Sequence, residues 1–106
     1  MKLNTKERLM FSRLLPMKGN LLELLMARNI AKRMEVTKEE KSKIKMVRTP
    51  KGWQWDSEKE VQKDFAFSKE ELKLLKVQVA RIDGRKEVTP DLLDLCIKIR
   101  DYEQKK

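Results

Sequence analysis

Lys43–Asp56 reads KIKMVRTPKGWQWD, and along it the hydrophobic spacing changes from helical to alternating. Ile44 and Met46 fall on one side, Lys45 and Val47 on the other, which is the two-residue period of a strand. Pro50 and Gly52 suit a type I turn with a glycine at its end, and Trp53 and Trp55 then share one face of a returning strand. Together these points predict a β-hairpin whose register sets the tryptophans across from branched or thioether side chains. Both tryptophans of the chain are in this stretch. They have three possible uses: a stacking platform for bases, an anchor for a partner protein, or a lid over a small core. Because Trp53 sits beside the turn, burial should deepen from Trp53 to Trp55, making Trp55 a core residue and Trp53 the contact residue.

Outward from the hairpin, helix-start signals recur as Asn, Ser or Thr followed three residues later by Glu: Asn4/Glu7, Asn20/Glu23, Thr37/Glu40, Ser57/Glu60 and Ser68/Glu71. After Asn4, the apolar residues Leu9, Met10, Phe11, Leu14 and Leu15 predict a short amphipathic helix that Pro16 stops. After Asn20, two overlapping stripes, Leu22/Leu25/Met26/Ile30 and Leu24/Ala27/Ala31/Met34, are broad enough to predict a central helix. Thr37 opens one further turn, KEEKSK. Residues 58–67, EKEVQKDFAF, carry both a helix start and the strand-like set Val61, Phe65 and Phe67, and strand is preferred. Beyond Ser68, Leu72, Leu75, Val79 and Ile82 form a helical stripe closed by Gly84 as a left-handed cap. Thr89-Pro90 then starts a last helix with the stripe Leu92, Leu95, Cys96, Ile99 and Tyr102. A short linker predicts that these two helices pair antiparallel. The expected architecture is a single α+β domain over residues 1–106: two N-terminal helices, a small antiparallel sheet centred on the hairpin, and a C-terminal helical hairpin packed on it.

Composition narrows the chemistry. A chain of 106 residues with 40% hydrophobic and 41% charged residues folds around a small core under a charged surface. It has no histidine, one cysteine and three widely spaced glycines. General-base chemistry, zinc ligation and phosphate-cradling glycine loops therefore lack their usual residues, so no enzyme activity, metal or cofactor is expected. The pairs Glu39/Glu40, Glu70/Glu71 and Asp91/Asp94 sit where helices begin and complement the macrodipole. Cys96 lies on an apolar stripe, as a small buried hydrophobe does. With no disulfide partner and no long apolar run, a cytoplasmic location without membrane contact is expected.

The succession KLNTKERLMFSRLLPMKGN, GWQWDSEKEVQKDFAF and SKEELKLLKVQVARIDGRKEVTPDLLDLCIKI resembles a group of small bacteriophage- and prophage-encoded proteins. The specific marks are the early LLP followed by Gly19-Asn20, the Trp55-Asp56 pair before a charged segment, and the closing helical connection Ile82–Thr89. The resemblance implies a phage or mobile-element origin and a host-cell setting. It assigns no site residues. The group is more acidic than this chain.

Charge is unevenly spread. The formal net charge is +9, and residues 52–106 balance twelve Lys/Arg against twelve Asp/Glu, so the whole excess precedes the tryptophans. Arg28, Lys32, Arg33, Lys43, Lys45, Arg48 and Lys51, with Trp53, form the candidate binding face, running from the second helix into the hairpin. Three readings stand: a solvated helix face and edge strand, a contact for DNA or RNA phosphates, or a contact for a host or phage protein with an acidic surface. The leading expectation is a non-catalytic accessory protein that binds another protein. A small basic nucleic-acid-binding module using residues 28–51 is the alternative, and an enzyme is a distant third.

Overall fold

A computed structural model of the chain describes residues 1–60 and 62–102. Its elements run β1 (Lys2–Leu3), α1 (Thr5–Leu14), α2 (Leu21–Met34), α3 (Lys38–Lys43), β2 (Val47–Thr49), β3 (Gly52–Gln54), β4 (Lys63–Asp64), α4 (Lys69–Gly84) and α5 (Pro90–Asp101). The α+β class is as expected. Four helices open with the full reciprocal cap, in which Asn4, Asn20, Thr37 and Ser68 accept from the backbone of Glu7, Glu23, Glu40 and Glu71 while each glutamate returns to the cap N–H.

The fifth pair, Ser57/Glu60, does not open a helix. Asp56 caps a single 3₁₀ turn at Ser57–Lys59, and Glu60 is taken by the Thr5 backbone N–H and the Trp55 indole. The preferred strand over 58–67 shrinks to the two residues of β4, which pairs antiparallel with β1 (Leu3 opposite Lys63). Val61 lies outside the described residues. In place of one sheet there are two small ones, β1–β4 and the hairpin β2–β3.

The center of the molecule is α1, which touches α2, α4 and α5. Phe11 and Leu14 from α1 join Leu3, Ile30, Leu75, Leu95 and Ile99 as the most deeply buried side chains, and the Phe11 and Phe67 rings stack with centroids 6.1 Å apart. The pair α4–α5 forms as the stripes predict; its main neighbor is α1, and Leu3 of β1 joins the same core. Helix α2 is peripheral, contrary to the broad-stripe expectation. Only Ala27, Ile30 and Met34 turn inward, while Leu21, Leu22, Leu24 and Leu25 stay exposed.

Both short loops after α3 and α4 close with the same hydrogen-bond pattern. Met46 N–H donates to the Lys41 carbonyl (2.8 Å) and Glu87 N–H to the Ile82 carbonyl (2.9 Å), the six-residue closures of a Schellman cap. Lys45 (φ 53°) and Lys86 (φ 57°) hold the left-handed position usually given to glycine. The alternation of Ile44 and Met46 against Lys45 and Val47 is thus real as burial but arises from a helix cap, with the strand beginning at Val47. Gly84, expected as the left-handed cap, is the last residue of α4, and a Cβ there would meet nothing within 4 Å. Gly84→Ala should therefore raise stability by about 0.5–1 kcal/mol in a urea titration, and Lys86→Gly by a similar amount. A loss of stability in Gly84→Ala would place the left-handed residue at 84 after all.

Candidate partner-binding surface

The hairpin pairs Val47 with Gln54, Arg48 with Trp53 and Thr49 with Gly52. Gly52 takes φ +117°, which side-chain-bearing residues rarely adopt, and the Thr49 hydroxyl bridges the turn by donating to the Gly52 carbonyl at 2.8 Å. This register puts Arg48, not an apolar residue, across from Trp53. The guanidinium of Arg48 lies 5.8 Å and the ammonium of Lys41 lies 4.9 Å from the Trp53 ring centroid. Trp53 keeps 39% of its surface exposed, so it is a rim residue as expected. Trp55 is deeper but only half-buried, and its indole N–H donates to Glu60 at 3.3 Å. It does not belong to the core cluster, because the hairpin stands beside the helices and its strands have no buried residue.

Other members of the basic run separate. Arg33 is tied down on the surface: it donates to the Ala66 carbonyl (2.6 Å), pairs with Glu71 and covers the Phe67 ring at 5.3 Å. It is a strap between α2 and α4, not part of a free binding face. Lys43 lines a cleft beside Arg8 and Glu40, whereas Lys45 is exposed at the cap and Lys51 at the hairpin turn. Arg33 is therefore engaged by partners within the fold, while Lys43, Lys45 and Lys51 lie on exposed surface.

Arg28 and Lys32 remain on the outward side of α2, and their neighbors there are the exposed leucines. At 100° per residue, Leu21, Leu25, Arg28 and Lys32 fall on one stripe and Leu22 flanks it, opposite the buried Ala27, Ile30 and Met34. Leu21 is 84%, Leu22 63% and Leu25 46% exposed, with Met17 fully out at the preceding turn. The stripe is apolar over its first half and cationic over its second. No ion pair to another described residue involves Arg28 or Lys32.

Arg8 is the polar residue that composition and spacing missed. Only 4% of its side chain is exposed, yet it donates to both Glu40 oxygens (2.6 and 3.2 Å) and to the Glu35 carbonyl (2.6 Å), fastening α3 onto α1. The hydrogen bond from Arg8 holds the Glu40 carboxyl down at about 2. The available signal was its position three residues before Phe11 and seven before Leu15, which puts an arginine on the apolar stripe.

Among the described residues no helix is long and apolar enough to cross a membrane, and no group of three or more His, Cys, Asp or Glu side chains is arranged to hold a metal ion. Comparison with protein-family models, curated proteins and solved structures finds no match to this chain.

Proposed function

We propose that the protein is a non-catalytic binding module whose α2 takes an acidic amphipathic helix of another protein. The observation that carries this reading is the outward stripe of α2, with Leu21, Leu22 and Leu25 leading into Arg28 and Lys32. A contiguous exposed apolar patch is unusual on a soluble surface and is the kind of surface that a protein partner buries. The cationic half selects the sign of that partner. From Leu21 to Lys32 the stripe spans about 16 Å, the length of three helical turns. A second copy of this chain is a poor occupant. Parallel pairing of two α2 helices opposes their cations, and antiparallel pairing sets the leucines of each against Arg28 and Lys32 of the other.

Three probes separate the possible occupants: a helical peptide with a leucine stripe flanked by glutamates, vesicles containing anionic lipid, and a single-stranded oligonucleotide. The peptide should bind best. Leu22→Ser/Leu25→Ser should abolish that binding while leaving the thermal midpoint within a few degrees of wild type, because both side chains are already solvated. Vesicle binding that exceeds peptide binding, or unchanged peptide affinity in the double variant, would overturn the assignment.

The cluster of Lys41, Arg48 and Trp53 supports the nucleic-acid reading as a second possibility, since an exposed ring among cations is a stacking site for bases. On that reading, oligonucleotide affinity falls with salt at a log–log slope of roughly −0.7 to −0.9 per phosphate neutralized, and Arg48→Ser/Lys51→Ser flattens the slope. No measurable binding at low salt would retire it.

A further inference from the structure

We infer that the cleft between α1, the end of α3 and β4 binds a small phosphate monoester. The cleft has a volume of about 320 Å³, near the lower end of the range for small-molecule sites. Three lysines from three different segments line it: Lys43 from the last turn of α3, Lys59 from the 3₁₀ turn and Lys63 from β4. Two of these lysines come from the part of the chain whose formal charges cancel, so composition gives no hint of the cluster. None of the three forms an ion pair with a described residue.

The remaining charges of the cleft are already matched. Arg8 and Glu40 both line it, and they neutralize one another through two hydrogen bonds. That leaves three cations around one opening, none of them in an ion pair with a described residue. They outnumber the further carboxylate beside the wall, Glu60, which accepts from the Thr5 backbone. A phosphate monoester carries close to two negative charges at neutral pH and three acceptor oxygens, which matches three separate ammonium donors. Inorganic phosphate alone underfills the space. Val36 and the buried Ile44 supply apolar wall for the organic body of a monoester.

The walls are held before any ligand arrives. Glu60 accepts from the Thr5 backbone, tying the 3₁₀ segment to the start of α1, and Arg8 ties α3 to the same helix. The ammonium of Lys63 is steadied 5.6 Å over the Phe65 ring. Preorganization of this kind reduces the ordering cost of binding.

The test is a titration of the intact chain with phenyl phosphate, inorganic phosphate and phenol at fixed ionic strength, followed through backbone amide shifts. Phenyl phosphate should saturate as a 1:1 complex with shifts centered on Lys43, Ile44, Lys59 and Lys63, inorganic phosphate should bind more weakly, and phenol should not bind. Affinity should fall below about pH 6, where the monoester takes up a proton. Replacing Lys43, Lys59 and Lys63 together with serine should weaken phenyl phosphate by about tenfold or more, the equivalent of losing one or two charge-assisted hydrogen bonds. All three side chains are exposed, so that variant should remain folded, and Arg28→Ser/Lys32→Ser should bind phenyl phosphate as wild type does. Shifts scattered over all surface lysines, equal binding of phosphate and phenyl phosphate, or unaltered affinity in the triple variant would each overturn the assignment.

Discussion

Arg8→Ala should destabilize the protein by about 3–5 kcal/mol at neutral pH, the range for breaking a buried ion pair by removing one partner. Three contacts go at once. Glu40 loses the two hydrogen bonds from Arg8, the Glu35 carbonyl loses the same donor, and the guanidinium 5.2 Å from the Phe65 ring centroid leaves a gap. Acid gives the same interaction a second signature. The Glu40 carboxyl ionizes at about 2 in the folded chain against 4.5 for the free group, so it stabilizes the fold above about pH 4.5 and that contribution drains away as pH falls toward 2. Glu40 is 29% exposed, so its share is about 1–2 kcal/mol. Urea midpoints measured from pH 7 to pH 2 should show wild type and Arg8→Ala converging in acid. Parallel curves would mean that Arg8 acts by packing alone and that the pair with Glu40 contributes nothing.

Leu95→Ala should cost about 2–5 kcal/mol, toward the upper part of that range because only 1% of Leu95 is exposed. Leu95 belongs to the hydrophobic cluster that joins α1, α4 and α5, with Phe11, Leu75 and Ile99 among the other fully buried members. Truncation leaves a void between α5 and two helices, α1 and α4, whose first turns are fixed by capping boxes, which limits collapse around it. Ile97, two residues on and 40% exposed, is the internal control. Ile97→Ala should stay within about 1 kcal/mol of wild type. Similar shifts in denaturation midpoint for both variants would show that the α4–α5 stripe is misassigned.

Local chemistry made the helices legible. A capping box is satisfied within four residues, so its outcome depends little on the rest of the fold, and four of the five such pairs form as written. Ser57/Glu60 fails because a distant backbone group, the Thr5 N–H, competes for the Glu60 carboxylate. Hydrophobic spacing places the faces of α4 and α5 correctly. It misplaces α2, because a leucine left on the surface has the same helical spacing as one that faces the core. The left-handed residues Lys45 and Lys86 run against glycine preference, so the caps move away from Gly84 and the strand away from Ile44. In the candidate face, Trp53, Arg28 and Lys32 are where a solvent-facing reading puts them. Arg33 is lost to α4 because its partners, Ala66 and Glu71, lie more than thirty residues downstream, beyond the reach of any local pattern.

The proposal that α2 is the recognition surface is tested most directly by a footprint. With leucine methyl groups labeled and the acidic leucine-bearing peptide added to saturation, the largest shifts should fall on Leu21, Leu22 and Leu25, and the amides of Arg28 and Lys32 should move with them. The indole of Trp53 and the buried methyl groups of Leu75 and Leu95 should stay in place. Shifts concentrated on Trp53, Arg48 and Lys51 with the α2 leucines silent would contradict the account and move the recognition surface to the hairpin.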